Sequence, residues 1–425
     1  VALGIVGGMP MNSRLGRRGG TAAAALALTV AMLGTTLPTP LYALYGERFD
    51  FSELTITVIF ATYAAGVIAS LLLFGRLSDE IGRRRMLLPG LALSALSAVA
   101  FLLAHGLALL LAGRVLAGLS AGIFTGTATA AIVDLARPER RARATLTATV
   151  ASMGGLGCGP LLAGLLSQWA GSPLQLTFWV DLALLVPAAI GILAMPETVA
   201  AKSRPRLRPQ TPRVPAEVRA AFVPAALAAF AGFAVLGLFT AVAPAFLAQE
   251  LGVTNRALVG LVVFAVFAAS VAGQAMLPLV PAAAAMPAGC AALIAGMGSL
   301  ALGLGLSDAA LLVLGGVIAG FGQGASFRSG LTRVNAGAPA EQRGAVASSF
   351  FIVAYVAISL PVIGAGVLAE AVGLRTAGLV FAAAVAAVAA GVLVVLARMP
   401  ARVLRRPPLR PVSRHRGRAE SGARR

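Results

Sequence analysis

Long apolar stretches separated by short polar breaks set the rhythm of this chain. Twelve of them run at roughly 21–43, 54–75, 86–105, 107–132, 145–169, 174–195, 219–248, 255–279, 282–305, 309–333, 342–369 and 373–397. A helix of about 20 residues, rising 1.5 Å at each, crosses the hydrocarbon core of a bilayer. The ten-residue alternating strands of a membrane β-barrel are absent from the pattern. The chain therefore reads as an all-α integral membrane protein with twelve transmembrane helices, helices 1 to 12 in chain order.

Composition agrees. Of 425 residues, 59% are hydrophobic and only 12% charged, with a mean hydropathy of +0.90. A soluble domain is about 45–50% apolar and about 25% charged, so this chain cannot clothe a water-facing surface. The net charge of +19 raises the question of nucleic acid, and its distribution answers it. Assigning loops alternately to the two sides puts 29 of the 34 basic residues on one side. The other side holds Arg48, Arg256 and Arg375 together with Glu47, Asp50, Glu53, Glu250, Asp308 and Glu370. The basic charge is a topology signal that predicts cytoplasmic termini, and nucleic acid is not an expected partner. Residues 1–20 do not have the form of a cleavable signal, and Met9 and Met11 are candidate starts. Anionic lipid headgroups are the expected contact of the Arg- and Pro-rich tail at 398–425.

Catalytic chemistry has no foothold. Cys158 and Cys290 lie in apolar runs and read as small buried residues, His105 falls at a loop and His415 in the tail. No metal ligand set, cofactor site or nucleophile–base pair emerges, so the reading is neither enzyme nor metalloprotein.

The longest polar break, 197–218, divides a six-helix group at 21–196 from a second at 219–397. The halves resemble each other. RVLAGLSAG at 114–122 aligns with GVIAGFGQG at 316–324, pairing Gly118 with Gly320 and Gly122 with Gly324. At the same offset Glu139 pairs with Glu341 and Arg141 with Arg343, a candidate cytoplasmic charge network. Two six-helix repeats with a binding site between them are a transporter architecture.

Gly75-Arg76-Leu77-Ser78-Asp79-Glu80-Ile81-Gly82-Arg83-Arg84-Arg85 joins helices 2 and 3. It resembles the signature loop of the major facilitator superfamily, G-x-L-[SA]-D-x-x-G-R-[RK]-x-[RK], with Met86 at the last position. The resemblance implies that Gly75, Asp79, Gly82, Arg83, Arg84 and Arg85 form a gating loop. Asp79 would dock on the start of helix 11, and the arginines would pair with acids on neighbouring loops. The equivalent place between helices 8 and 9, QAMLPLVPAAAAMP, carries no charge, so any lock belongs to the first half. Helix 5 carries Gly155, Gly159, Pro160 and Gly164 in a pattern similar to the family's antiporter motif, with Ala163 replacing one Gly and Leu146 where a further Gly often stands. That resemblance implies efflux.

Arg114, in a pattern similar to the family's helix-4 motif, is linked by the resemblance to proton transfer. A buried Arg costs about 3 kcal/mol on insertion scales and needs a partner or a wet cavity. Asp181 is the only carboxylate well inside a span and lies at about the same depth. One reading makes Asp181 the proton carrier with Arg114 as its partner; the other makes it a structural residue near the outer interface. Arg328, in helix 10, has Gly126 as its repeat equivalent and either serves the cavity or snorkels. In the family, helices 1, 4, 7 and 10 line the pathway. The cavity candidates are Thr35, Thr36, Phe124, Thr127, Phe233, Phe239, Gln323 and Phe327, with Tyr63 and Tyr355 from flanking helices. Apolar walls with a few polar groups suit a small amphipathic molecule. The expected function is proton-coupled efflux of such a compound by a monomeric transporter of the bacterial inner membrane. The alternatives are metabolite uptake by symport or uniport, or a non-transporting sensor or scaffold on the same fold.

Overall fold

The computed structural model describes residues 15–75, 77–199, 209 and 211–399. Every predicted span is a helix: α1 Arg17–Thr36, α2 Glu53–Phe74, α3 Arg83–Leu102, α4 Leu107–Leu135, α5 Arg141–Trp169, α6 Pro173–Ala194, α7 Ala216–Ala241, α8 Arg256–Ala275, α9 Ala282–Leu306, α10 Ala309–Gly337, α11 Arg343–Val372 and α12 Leu374–Arg398. Two spans are broken where the sequence reads as continuous. Pro38 and Pro40 have no N–H to continue α1, and the chain passes through a 3-10 turn at Thr39–Leu41 into a short helix at Tyr42–Phe49. Its symmetry mate α7 breaks in the same way, into a π-turn at Phe246–Glu250.

The first six helices form one bundle and the last six another, with α5 against α8 and α2 against α11 as the two seams between them. In lipid, helix association comes from close van der Waals approach and interhelical hydrogen bonds, not from the hydrophobic effect. The small residues of the repeat supply that approach. A Cβ on Gly118 would strike the Tyr63 carbonyl of α2, and one on Gly122 the Ser70 side chain. In the second bundle, a Cβ on Gly320 would strike the Val266 carbonyl of α8, and one on Gly324 that of Ser270. The sequence repeat is thus one helix crossing used twice. Ser120 and Ser97 add interhelical bonds to the carbonyls of Gly90 and Gly113, each at 2.8 Å. The outward faces carry large apolar side chains such as Trp179 and Ile190, about 60% exposed in the isolated chain, as a lipid-facing surface requires.

The basic residues gather at the end of the bundle where α1 begins and α12 ends, here the arginine-rich end; the opposite one is the acidic end. The tail's predicted lipid contact and Arg76 lie outside the described residues.

Candidate functional site

Between the bundles lies a cavity of about 670 Å³. It runs from Thr35, Thr36 and Arg114 toward Asp134, Ala142 and Asn335, so its mouth is at the arginine-rich end. The acidic end is closed by contacts between the halves. Gln249 donates Nε2 to Glu53 at 2.8 Å, the Leu54 N–H reaches Glu370 at 3.3 Å, and the Arg256 N–H reaches Gln168 at 2.9 Å.

The walls differ. Phe233, Leu236, Phe267, Phe327, Leu331 and Phe351 of the second half make an aromatic and aliphatic wall, whereas α4 and α5 present Thr125, Thr129, Thr145, Thr149 and Ser152. Six of the ten cavity candidates line it: Thr35, Thr36, Tyr63, Phe233, Phe327 and Tyr355. Four do not. Phe124 fits against Gly90 of α3, and Phe239 against Gly316 of α10. Gln323 accepts from Ser270 and packs on Gly232, and Thr127 is buried away from the cavity. The error is one of helical phase. On α4 the lining face is Thr125, Thr129 and Val133, at spacings of four, and on α5 it is Thr145, Thr149 and Ser152. Thr127 and Thr147, two residues off these rows, lie outside the cavity lining, as helical spacing requires.

Arg114 is 1% exposed. Its Nη1 donates to the Thr35 carbonyl in the last turn of α1, and its Nη2 to the Phe60 carbonyl of α2 at 3.1 Å. The guanidinium carbon stands 4.9 Å from the Tyr63 ring centroid and 5.4 Å from that of Phe60. Tyr63 meets Tyr355 of α11 edge-on at 6.2 Å. One side chain of α4 thus clamps two other helices at the inner end of the cavity.

Asp181 is also buried, at 2% exposure, but it makes no ion pair with Arg114. Its carboxylate lies against Gly34 of α1, while Thr35 and Thr36, the next residues, face the cavity. Equal depth does not make two residues neighbours. α6 packs behind α1 and α3, so α1 stands between the two groups, and Oδ1 of Asp181 has no hydrogen-bond partner among the described residues.

On α5, Gly155 and Gly159 receive α1, and Gly164 receives the Arg256 carbonyl of α8. Gly260 of α8 in turn lies on the carbonyl of Pro160. The helix-5 motif therefore joins α5 to α1 within its own half at Gly155 and Gly159 and forms the seam with α8 at Pro160 and Gly164. Pro160 also leaves the carbonyl four residues earlier, Leu156, without an N–H, and Thr36 Oγ1 donates to it at 2.8 Å. Thr36→Val, equal in shape, is expected to lower stability by about 1–3 kcal/mol through the unpaired carbonyl. Thermal melting of the purified protein checks this; an unchanged melting temperature would show that the hydroxyl does not support the kink.

The gating loop is held within its own half. Gly82 has φ +107°, and a Cβ there would strike the Glu197 carboxylate. Glu197 instead accepts the first N–H groups of α3, Arg83 at 2.7 Å and Arg84 at 3.1 Å, a favourable place for an anion. Arg83 pairs with Asp79 at 2.6 Å and with Asp134 at 3.3 Å. Arg84 reaches the Met195 carbonyl at 3.3 Å, Arg85 is exposed, and Gly75 ends α2. Arg83 pairs through its guanidinium with Asp134, whereas Glu197 is held by the backbone N–H groups of Arg83 and Arg84; neither acid is among the residues the sequence singles out. Asp79 does not dock on α11, because the halves are parted at this end. For the same reason Glu139, Arg141, Glu341 and Arg343 form no ion pairs with one another among the described residues; Arg343 bonds the Ala338 carbonyl.

Comparison with known proteins agrees with this geometry. Multidrug resistance protein MdtL of Escherichia coli O81 is 35% identical over 131 residues, 30% of this chain and 32% of that protein. A triacylglyceride transporter of Mycolicibacterium hassiacum is 32% identical over 187 residues, 44% of this chain and 32% of its own. The matched stretches span about a third of these relatives. Among solved structures, a bacterial homologue of the human lysosomal transporter Spinster, inward-facing and occupied, superposes with a TM-score of 0.69 at 16% identity, covering 93% of this chain and 99% of that one. The human organic anion transporter MFSD10 gives 0.65 at 19% identity, covering 89% and 99%. Both share the fold. The family model of the Major Facilitator Superfamily matches residues 24–362, and with twelve helices in two repeated bundles around a central cavity, this chain is a membrane transporter of that superfamily.

Proposed function

We propose that this transporter exports a small amphipathic compound from the bacterial cytoplasm in exchange for protons, by alternating access. The observation that carries the reading is the central cavity, apolar and aromatic on one wall and hydroxylated on the other, a surface suited to a molecule with both characters. The excess of arginine at the cavity's mouth supports reading that end as cytoplasmic and the present arrangement as inward-facing. The antiporter-like motif on α5 and the relatives named for multidrug resistance favour export.

Asp181 is the proposed proton carrier. It is a buried carboxyl with an unpartnered oxygen, packed on the helix whose next residue, Thr35, is held by Arg114. Movement of α1 during rocking would alter the surroundings of both groups together. The test uses inverted membrane vesicles with an acid interior, from a host lacking its main exporters. Amphipathic compounds added outside are expected to dissipate the pH gradient with wild type and not with Asp181→Asn. Dissipation unchanged in Asp181→Asn would remove Asp181 from the proton path. No response from wild-type protein confirmed as folded and inserted would overturn proton-coupled export in favour of uptake or uniport.

A further inference from the structure

The charges on the cavity wall do not balance. Three charged side chains line it, Arg114, Asp134 and Arg328. Asp134 already has its cation, Arg83 at 3.3 Å. The two terminal nitrogens of Arg114 are held by the Thr35 and Phe60 carbonyls. Arg328, half-buried on α10, donates Nη1 to the Gln274 carbonyl at 2.8 Å and makes no ion pair among the described residues.

That single bond has a local reason. α8 ends at Ala275, so its last carbonyls lack intrahelical donors, and Pro278 has no N–H to offer Gln274. A guanidinium carries five donors, and this cap occupies one nitrogen. The others have no protein acceptor among the described residues. A neutral donor such as glutamine would also cap a carbonyl, so the cap alone does not require the charge.

The surroundings indicate what does. Next to Arg328, Phe327 meets Phe233 in a tilted contact at 5.0 Å and Phe351 edge-on at 5.9 Å between ring centroids, and all three rings line the cavity. An unpaired guanidinium thus stands at the edge of an aromatic wall. By the sequence repeat its counterpart is Gly126, while Arg114 answers to Gly316. The two half-repeats therefore place their arginines twelve residues apart in register, about 18 Å along the helix axis, with no free carboxylate on the wall to receive an organic cation.

We propose that the transported compound is an amphipathic organic anion, its apolar body on the Phe233–Phe327–Phe351 wall and its carboxylate or sulfonate on Arg328. The proposal rests on the reading of this cavity as the transport site. Charge-assisted bonds are the strong ones, and a partly water-excluded wall strengthens them further.

The full chain in phosphatidylcholine nanodiscs can be titrated with three fluorescent probes of one scaffold: dansylglycine, an anion; dansylglycinamide, neutral; and dansylcadaverine, a cation. Emission is measured above that of empty discs. The anion is expected to bind about tenfold more tightly than the amide, and the cation most weakly. Arg328→Gln keeps a donor for Gln274 and is expected to bring the anion down to the amide's affinity, so that the roughly tenfold preference is lost. Arg328→Lys is expected to keep the preference for the anion. An unchanged melting temperature shows that the variants are folded. Equal binding of anion and amide by wild type, or an undiminished preference in Arg328→Gln, overturns the anion assignment while leaving the cavity as a binding site. Binding of none of the three overturns the cavity reading and the proposal with it.

Discussion

Arg114→Met is expected to yield a folded protein that no longer transports. The expectation comes from separating what Arg114 costs from what it holds. Placing an arginine in the membrane interior costs about 3 kcal/mol on insertion scales. Here the cost is offset by two hydrogen bonds from a charged donor, about 1.5–3 kcal/mol each, and by contact with the faces of Tyr63 and Phe60, about 0.5–2 kcal/mol. Methionine fills similar space without the burial cost, and apolar replacement of buried ionic groups is often neutral for stability. The melting temperature should therefore move by only a few degrees. What methionine cannot do is bridge the end of α1 to α2 through two carbonyls. Phe60 lies inside a helix, so its carbonyl retains the helical bond; Thr35 lies in the last turn of α1 and loses its donor. With α1 released from α4 at the inner end of the cavity, transport in proteoliposomes is expected to fall about a hundredfold or more. Arg114→Lys, a point charge without the planar fork, should recover only a small part. Full transport by Arg114→Met would show that the clamp is not part of the working cycle.

Much of the fold was legible because the bilayer leaves so few solutions. A run long and apolar enough to span must satisfy its backbone internally, and the observed helix ends lie within a few residues of the predicted ones except where α1 and α7 break early, at Thr36 and Ala241. The repeat was legible through Gly118, Gly122, Gly320 and Gly324, since a backbone-to-backbone crossing tolerates no side chain. The site was legible only in part. Depth can be counted from a helix end, and this gives Arg114 and Asp181 as buried at about the same level, as they are. Azimuth cannot be counted when almost every residue of a helix is apolar, so Phe124 and Thr127 were chosen over Thr125 and Thr129. The supposed Arg114–Asp181 pair failed for a related reason: it assumed that α4 and α6 face each other, and the packing of α6 behind α1 depends on all six helices of the bundle. Asp134 and Glu197 do not stand out in the sequence because their partners, the Arg83 side chain and the N–H groups of Arg83 and Arg84, lie far away along the chain. The undocked Asp79 follows from which end of the bundle is open, a property of state that one sequence does not specify.

That state leads to the second large effect. If the halves rock, the seam at the acidic end must open in every cycle, and a covalent tie across it must stop transport. Thr57 of α2 and Gly366 of α11 are placed for such a tie. A Cβ on Gly366 would lie 3.2 Å from the Cβ of Thr57, slightly inside the usual disulfide separation of about 3.5–4.5 Å. A small outward shift of α11 would accommodate the bond. Thr57→Cys/Gly366→Cys, in a background with Cys158 and Cys290 replaced by alanine, is expected to cross-link under mild oxidation and to lose nearly all transport. Reductant should restore it, because the reduced pair leaves the seam free to part. Each single variant, treated with the same oxidant, should keep its activity. The cross-linked fraction, read from the mass of a fragment cleaved within the 197–218 linker, should match the fraction of activity lost. A fully cross-linked protein that still transports would mean that the substrate crosses without parting α2 from α11, and the rocking cycle would have to be abandoned for this chain.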